Sequence, residues 1–369
     1  NFFPTVGYDV DKKRVEELRS GIDVTEEIDL NNYKNYKDVF TCNKNLLSDC
    51  NFFIITVPTP VDSSYLPDLN PIKNATETIS KFMKKKDIVV YESTVYPGVS
   101  EEVCVPIIEK NTNFKLNKDF YIGYSPERIV PGDKERTITK IKKITSGSTI
   151  EAADIIDLVY KKIIKAGTYK AQSIKVAEAA KVIENVQRDV NIALINELSI
   201  IFEKMDINTY DVLRAANSKW NFLDFKPGLV GGHCIGVDPY YLTYASTKSG
   251  HNSTFIELAR SINNNMPNFI IDKIEKDFNS KKISFSNSKA LIMGMTFKEN
   301  CPDIRNTKAV DLFSLLEKKG MLVDCFDPVC DSLEVKSKLK INLINSLNEN
   351  EYSLVIIAVP HKEFINMGL

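Results

Sequence analysis

Short, unbroken apolar runs separated by helix-like stretches constrain this chain more than any other feature. Asn51 to Val57 reads NFFIITV, and Asp87 to Tyr91 reads DIVVY. Asp119 to Tyr124 and Ile144 to Ser148 continue the series, and Phe3 to Val10 opens it. Between them lie helical patterns over Lys12–Ser20, Pro71–Lys84 (with Asn70 as cap) and Ser100–Glu109. Strands that are apolar on both faces and alternate with helices predict a parallel sheet covered on both sides. The pattern returns after residue 285, with strands at Ser288–Met295, Leu322–Phe326 and Leu354–Val359 and a helix at Lys308–Lys319. The fold class is therefore α/β, with two Rossmann-like doubly wound halves.

The halves are joined by something different. Ala171 to Met205 lacks glycine and proline and is rich in alanine and isoleucine, which predicts one long central helix. Three domains follow: 1–170, a dinucleotide-binding half; 171–268, a helical centre suited to dimerisation; 269–369, the second α/β half. At 369 residues the length agrees with two or three domains.

In doubly wound sheets functional groups gather where strands end. Here those positions are Asp9, Thr59, Thr94 and Glu127. An acid such as Asp9 suits a ribose contact, but the G-x-G-x-x-G fingerprint expected about twenty residues earlier does not occur in the chain. The expectation is that the first strand and glycine turn are missing from the given sequence. On the central helix, Lys181, Asn185 and Arg188 share a face, either as a solvated stripe or as the wall of a site. The stretch Pro227–Leu242, PGLVGGHCIGVDPYYL, sets Cys234 among four glycines with Asp238 four residues on. A cysteine on such a loop is a candidate nucleophile, and Asp238 a base or water-positioning group. The bland alternative is a tight turn with a buried thiol.

Composition excludes several classes. The 48 basic and 49 acidic side chains give no bulk attraction to nucleic acid. There is no run apolar enough to span a bilayer and no secretory leader. Seven scattered cysteines and three histidines suggest neither a disulfide framework nor a zinc site. A reducing, cytoplasmic setting is expected.

Six segments together resemble the UDP-glucose/GDP-mannose dehydrogenase family over nearly the whole chain. They are VPTP (57–60), ESTVYPG (92–98), YSPERIVPGD (124–133), AEAAKVIENVQRDVNIALINE (177–197), GLVGGHCIGVDPYYL (228–242) and FKENCPDIRNT (297–307). The resemblance implies NAD-dependent oxidation of a nucleotide-sugar C6 alcohol to a carboxylate, with two NAD used per sugar. Val237 stands where relatives acting on UDP-glucose usually carry lysine, and KWNF (219–222) and DPYYL resemble the forms acting on UDP-N-acetylhexosamines. That makes UDP-N-acetylglucosamine or UDP-N-acetylgalactosamine the expected substrate, in surface-polysaccharide synthesis such as capsule or O-antigen. UDP-N-acetylmannosamine, UDP-glucose, a silent sugar-binding paralogue and a Cys234–His233 hydrolase are the alternatives.

By the same resemblance, Cys234 is the nucleophile and Lys181 and Asn185 hold developing oxyanions. Asp238 serves the hydrolytic step, and Glu127 and Thr94 position water. Asp9 takes the adenosine ribose with Arg14, Thr59 and Thr94 nearby, which favours NAD over NADP. Lys298 and Arg305 serve the nucleotide-sugar and cofactor sides. Arg128 and Gly231 lie at the sugar, and the second α/β half holds UDP. His233 is assigned packing or hydrogen bonding. A homodimer through the central helix is expected, with neither nucleic acid nor membrane as partner.

Overall fold

The computed structural model describes residues 2–24, 30, 36–130, 133, 135–286, 288–347 and 351–368. Pro131 and Gly132, inside one of the six segments, lie outside the described residues. The chain divides into two compact units, Asn1–Glu184 with Tyr240–Gly250, and Asn185–Pro239 with His251–Leu369. The division falls inside the long helix.

The first unit runs β1 (Gly7–Tyr8), α1 (Lys12–Arg19), β2 (Phe40–Thr41), β3 (Phe52–Ile55), α2 (Asn70–Ser80), β4 (Ile88–Tyr91), α3 (Val105–Thr112), β5 (Tyr121–Tyr124), β6 (Lys143–Thr145), α4 (Ile150–Ile163) and β7 (Thr168–Lys170). Every strand pair is parallel: β3-β4-β5 form one sheet, β1-β2 and β6-β7 two smaller ones. Central β4 reads IVVY and all four residues are buried, as a strand covered on both faces requires. One of its faces packs Ile88 and Val90 against Ile156, Tyr160 and Ile164. Edge strand β3 is less protected, and Ile54 stays 44 % exposed.

Helix α5 (Ile174–Lys204) follows. Then come α6 (Thr209–Ala216), α7 (Asp238–Lys248), α8 (Thr254–Ser280), β8 (Lys289–Met293), α9 (Ala309–Lys318), β9 (Leu322–Phe326), α10 (Ser332–Leu339), β10 (Leu354–Ile357) and α11 (Lys362–Asn366). The second sheet is parallel, in the order β10-β8-β9. Its central strand shows why continuous apolar sequence means two covered faces. Ala290 and Ile292 enter a core with Ile271, Leu312 and Leu316, while Leu291 and Met293 face Phe364 on the other side.

Mixed α/β architecture with parallel sheets and a long helix is as the sequence predicts. Four local expectations are corrected. Phe3–Val10 is not a buried strand: only Gly7 and Tyr8 pair, on one side, and Val10 is exposed. Apolar composition made this segment look like a core strand, yet a strand with one partner has little to bury it. Ile144–Ser148 is a strand over Lys143–Thr145, and it pairs with an unanticipated β7. Asn70 does not cap α2; it lies within the helix, and its backbone N–H donates to Asp68 instead. The helix expected from Ser100 begins as a wider π turn, Ser100–Cys104, before α3.

Candidate active site

In the first unit the strand ends converge on one buried lysine. Ser93 Oγ donates to Val57 O at 2.6 Å and Thr59 Oγ1 to Thr94 O at 2.6 Å, which ties the ends of β3 and β4 together. Lys143, at the start of β6, bridges the next two ends. Its Nζ lies 2.8 Å from Glu92 Oε2 and 2.9 Å from Glu127 Oε2, with its side chain only 4 % exposed. Tyr160 donates its hydroxyl to the other oxygen of Glu92, and Lys143 lies over the Tyr160 ring. A buried ammonium needs such compensation, because desolvating it alone is costly.

Both oxygens of Glu127 accept hydrogen bonds. Its Oε1 accepts from the backbone N–H of Arg128 (2.6 Å) and of Ile129 (2.9 Å), and its Oε2 from Lys143. Burial opposes its charge, but Lys143 and the two amides outweigh that and hold the carboxyl below the usual glutamate range. A carboxylate so stabilised is a poor proton acceptor and a good acceptor of hydrogen bonds from water. Arg128 makes a two-pronged contact with Glu184 (2.6 and 3.2 Å) and donates to Lys142 O.

The other expected residues of this unit are more scattered. Asp9 sits exposed just beyond β1, and its Oδ1 accepts from Asp11 N at 2.9 Å. Arg14 is paired with Asp23 at 2.6 Å, and its Nη1 is buried with no hydrogen-bond partner among the described residues. Lys181 is buried on α5. One turn earlier, Glu178 takes Gly98 N, Ser100 N and Ser100 Oγ at 2.5, 3.0 and 2.7 Å. Burial nonetheless pushes its carboxyl up to about 7, against those three donors.

In the second unit two of the residues expected near Cys234, Asn185 and Asp238, are in contact. Cys234 is half-buried, and no disulfide joins any of the seven cysteines. Its carbonyl accepts from Val237 N (3.1 Å) and Asp238 N (2.8 Å), forming the entry turn of α7. Asp238 is buried and accepts from the Asn185 amide, whose own oxygen accepts from Arg188. The amide of Asn185 thus links a guanidinium to the carboxylate. With Lys181 and Asn185 buried, the helix face read from sequence is not a solvated stripe.

Gly231 and Gly232 are required by packing. A Cβ on Gly231 would stand 2.6 Å from Asn306 O; on Gly232, whose φ is +82°, it would stand 2.6 Å from the Phe297 ring. The backbones interlock, with Gly232 N donating to Asn306 O and Asn306 Nδ2 to Gly232 O, each at 3.3 Å. The FKENCPDIRNT segment therefore lies against the cysteine loop. His233 Nδ1 is 3.5 Å from Asp303 Oδ2 and its ring meets Phe297 edge-on, the packing role expected of it. Arg305 clasps Asp303 with Nε and Nη2. That pairing, through the hydrogen bond and charge of Asp303, holds the Arg305 proton more tightly than usual. Lys298 is half-buried, its carbonyl accepting from Thr296 Oγ1.

Sequence reasoning missed Lys143, Glu92, Glu178, Asp189 and Asn196. Nothing in the sequence sets Lys143 apart from the neighbouring Lys140 and Lys142. The α5 residues carried a signal: Glu178, Asn185, Asp189 and Asn196 recur at i, i+7, i+11 and i+18, which places them within about 20° of one line on a helix. All four are buried.

Comparison with known proteins covers nearly all of the chain. Residues 3–164 match the model described as UDP-glucose/GDP-mannose dehydrogenase family, NAD binding domain; residues 175–265 match its central domain and 291–369 its UDP binding domain. A UDP-N-acetyl-D-glucosamine 6-dehydrogenase from Salmonella typhi is 53 % identical over 366 residues, 98 % of this chain and 86 % of that one. One from Pseudomonas aeruginosa is 51 % identical over 364 residues, with 98 % and 86 % covered. Among solved structures, a UDP-D-ManNAc dehydrogenase from Pyrococcus horikoshii superposes with a TM-score of 0.88 at 28 % identity, over 97 % of this chain and 84 % of that one.

Proposed function

Because the chain belongs to the UDP-glucose/GDP-mannose dehydrogenase family, NAD-dependent oxidoreductases of nucleotide sugars, we propose that it oxidises C6 of a UDP-N-acetylhexosamine, foremost UDP-N-acetylglucosamine, to the carboxylate. The observation that carries the reading is the interlocked Cys234 loop, with Asp238, Asn185 and Arg305 set around it in one unit. The identity of more than half to two relatives that act on UDP-N-acetylglucosamine supports the substrate.

In this reading Asp9, Thr59 and Thr94 hold NAD, with Arg14 and Arg305 contributing. The residues suit that cofactor: Asp9 is an exposed acid just past a strand end, and Arg14 has a buried nitrogen without a partner among the described residues. When bound, NAD would supply the acceptor for one hydride in each of two oxidations. The first removes a hydride from C6 and releases the hydroxyl proton to water, giving the aldehyde. The Cys234 thiolate then adds to the aldehyde carbon, giving a thiohemiacetal whose C–H departs as the second hydride and leaves a thioester. Water attacks the thioester carbon, breaks the C–S bond and returns the thiol. Lys181 steadies the oxygen charge that develops at C6, aided by the second amide N–H of Asn185. Asp238 accepts a proton from the attacking water. Glu127, held ionised by Lys143, orients that water with Thr94. Arg128, Gly231 and Lys298 serve the sugar and nucleotide.

Two coarser features belong to the same proposal. The enzyme works in the cytoplasm, where seven cysteines without a disulfide persist. It works as a homodimer: Ile183, Leu194 and Ile201 form an exposed apolar line on α5, at i, i+11 and i+18. The test is NADH production with UDP-N-acetylglucosamine, -galactosamine, -mannosamine and UDP-glucose side by side. Highest kcat/KM on UDP-N-acetylglucosamine supports the reading; preference for UDP-glucose overturns it.

A further inference from the structure

The loop that carries Cys234 is held at both ends by one helix. At its far end Asp238 accepts from Asn185. At its near end Gly228 is clasped by Asn196: Gly228 N donates to Asn196 Oδ1 at 2.8 Å, and Asn196 Nδ2 donates to Gly228 O at 3.0 Å. Asn185 and Asn196 are eleven residues apart on α5, three turns and about 16 Å along one face. The loop is strung between these two amides and pinned in the middle by Asn306.

The near clasp has its own support. Asn196 Nδ2 also donates to Asn263 Oδ1 on α8 at 2.8 Å, and Asn263 Nδ2 donates to Asp189 Oδ1 at 2.7 Å and to its backbone oxygen at 3.0 Å. Asp189 is ion-paired with Arg260, and all of these side chains are buried. This is an expensive arrangement for a helix interface. Apolar residues of similar volume would hold two helices together as well or better, since removing an ion pair from water costs about what its attraction returns. What apolar side chains cannot do is grip both the N–H and the C=O of a single loop residue. The polar chain ends in that grip.

We propose that Asn196 is a positioning residue for Cys234, fixing the start of the nucleophile loop to the helix that also holds Asp238, with Asn263 and the Asp189–Arg260 pair keeping its amide in register. The proposal rests on the reading of Cys234 as the nucleophile. The reason such a device matters is geometric. Attack on an aldehyde, hydride departure and hydrolysis all happen at one carbon, and a misplacement of about 1 Å can cost roughly a hundredfold. The loop's glycines have no side chains of their own to anchor it, so hydrogen bonds at its ends and middle do much of the fixing.

The test combines hydrogen exchange with kinetics, on the full-length protein, for Asn196→Ala, for Ser199→Ala and for wild type. Ser199 is buried on the same helix one turn on, but its hydroxyl donates only to its own helix, at Asn196 O, so it controls for lost helix packing. In wild type the Gly228 amide should exchange as slowly as the amides of α5. Asn196→Ala should speed exchange across residues 228–238 at least tenfold without changing α5 or β8. It should lower kcat about tenfold with KM for the sugar within twofold. Ser199→Ala should leave both readouts near wild type. A fast-exchanging Gly228 amide in wild type overturns the proposal, and needs no variant to fold. So does an Asn196→Ala protein with wild-type loop exchange, or one whose kcat loss is matched by Ser199→Ala. Cys234→Ser run in parallel separates the two readings. Acid formation by that variant removes Cys234 as nucleophile, while the exchange data still decide whether Asn196 anchors the loop.

Discussion

Lys143 sets its ammonium 2.9 Å from Glu127 and 2.8 Å from Glu92, one buried cation between two carboxylates. Replacing it with methionine removes the cation that both acids share. Lys143→Met should destabilise the protein by about 3 kcal/mol, the low end for breaking a buried pair because Glu127 is partly exposed. It should also raise the acid limb of the kcat profile, since Lys143 is what holds Glu127 below the ordinary range. The sign follows from linkage. A depressed acid stabilises the fold above its unfolded value and loses that contribution as pH falls through the folded one. Acid melts of wild type and variant, with pH–rate curves, check both parts. An unmoved acid limb would detach Lys143 from the chemistry.

Glu178 behaves in the opposite sense. Its carboxyl is pushed up to about 7 from an ordinary 4.5, chiefly by burial. Between those values the folded protein keeps a proton that the unfolded chain has released, so this group's contribution to stability declines as pH rises across the window. Glu178→Gln should flatten that decline in Tm. The variant also turns an amide donor toward Gly98 N or Ser100 N, which should lower Tm at every pH. A wild-type slope in the variant would place the titration elsewhere.

Two glycines of one loop should respond differently to alanine. At Gly232 the backbone has φ +82° and a Cβ would meet the Phe297 ring at 2.6 Å. Gly232→Ala should cost roughly 1–2 kcal/mol for the backbone alone, with more for displacing the ring, and should lower kcat. Gly228 has open space where its Cβ would be, and its hydrogen bonds to Asn196 are made by backbone atoms. Gly228→Ala should stay within about 0.5 kcal/mol of wild type. Paired thermal melts decide the matter, and equal losses at the two positions would contradict this account of the loop.

Sequence carried the larger architecture because a parallel strand advertises itself: IVVY at β4 and KALIM at β8 can only be buried on both sides. It misled at Phe3–Val10, where apolar composition says nothing about how many partners a strand has. The Cys234 loop was legible since glycine, cysteine and aspartate have few other reasons to cluster, and the packing at Gly231 and Gly232 gives the cause. Lys143 was not legible. One lysine in the run from Lys140 to Lys143 is buried and the others are not, and only the three-dimensional positions of Glu92 and Glu127 distinguish it. The polar line through Glu178, Asn185, Asp189 and Asn196 could have been found by asking for periodicity in polar residues as well as apolar ones.

In the proposed mechanism one thiol, Cys234, carries the sugar through its second oxidation, from aldehyde to carboxylate. The most direct measurement is the number of NADH formed per UDP-N-acetylglucosamine consumed, by wild type and by Cys234→Ser. Two NADH and the carboxylate from wild type, with no carboxylate from the variant, is the predicted result. Carboxylate formed by Cys234→Ser with two NADH per sugar would contradict the account, because the second hydride would then leave without the thiol.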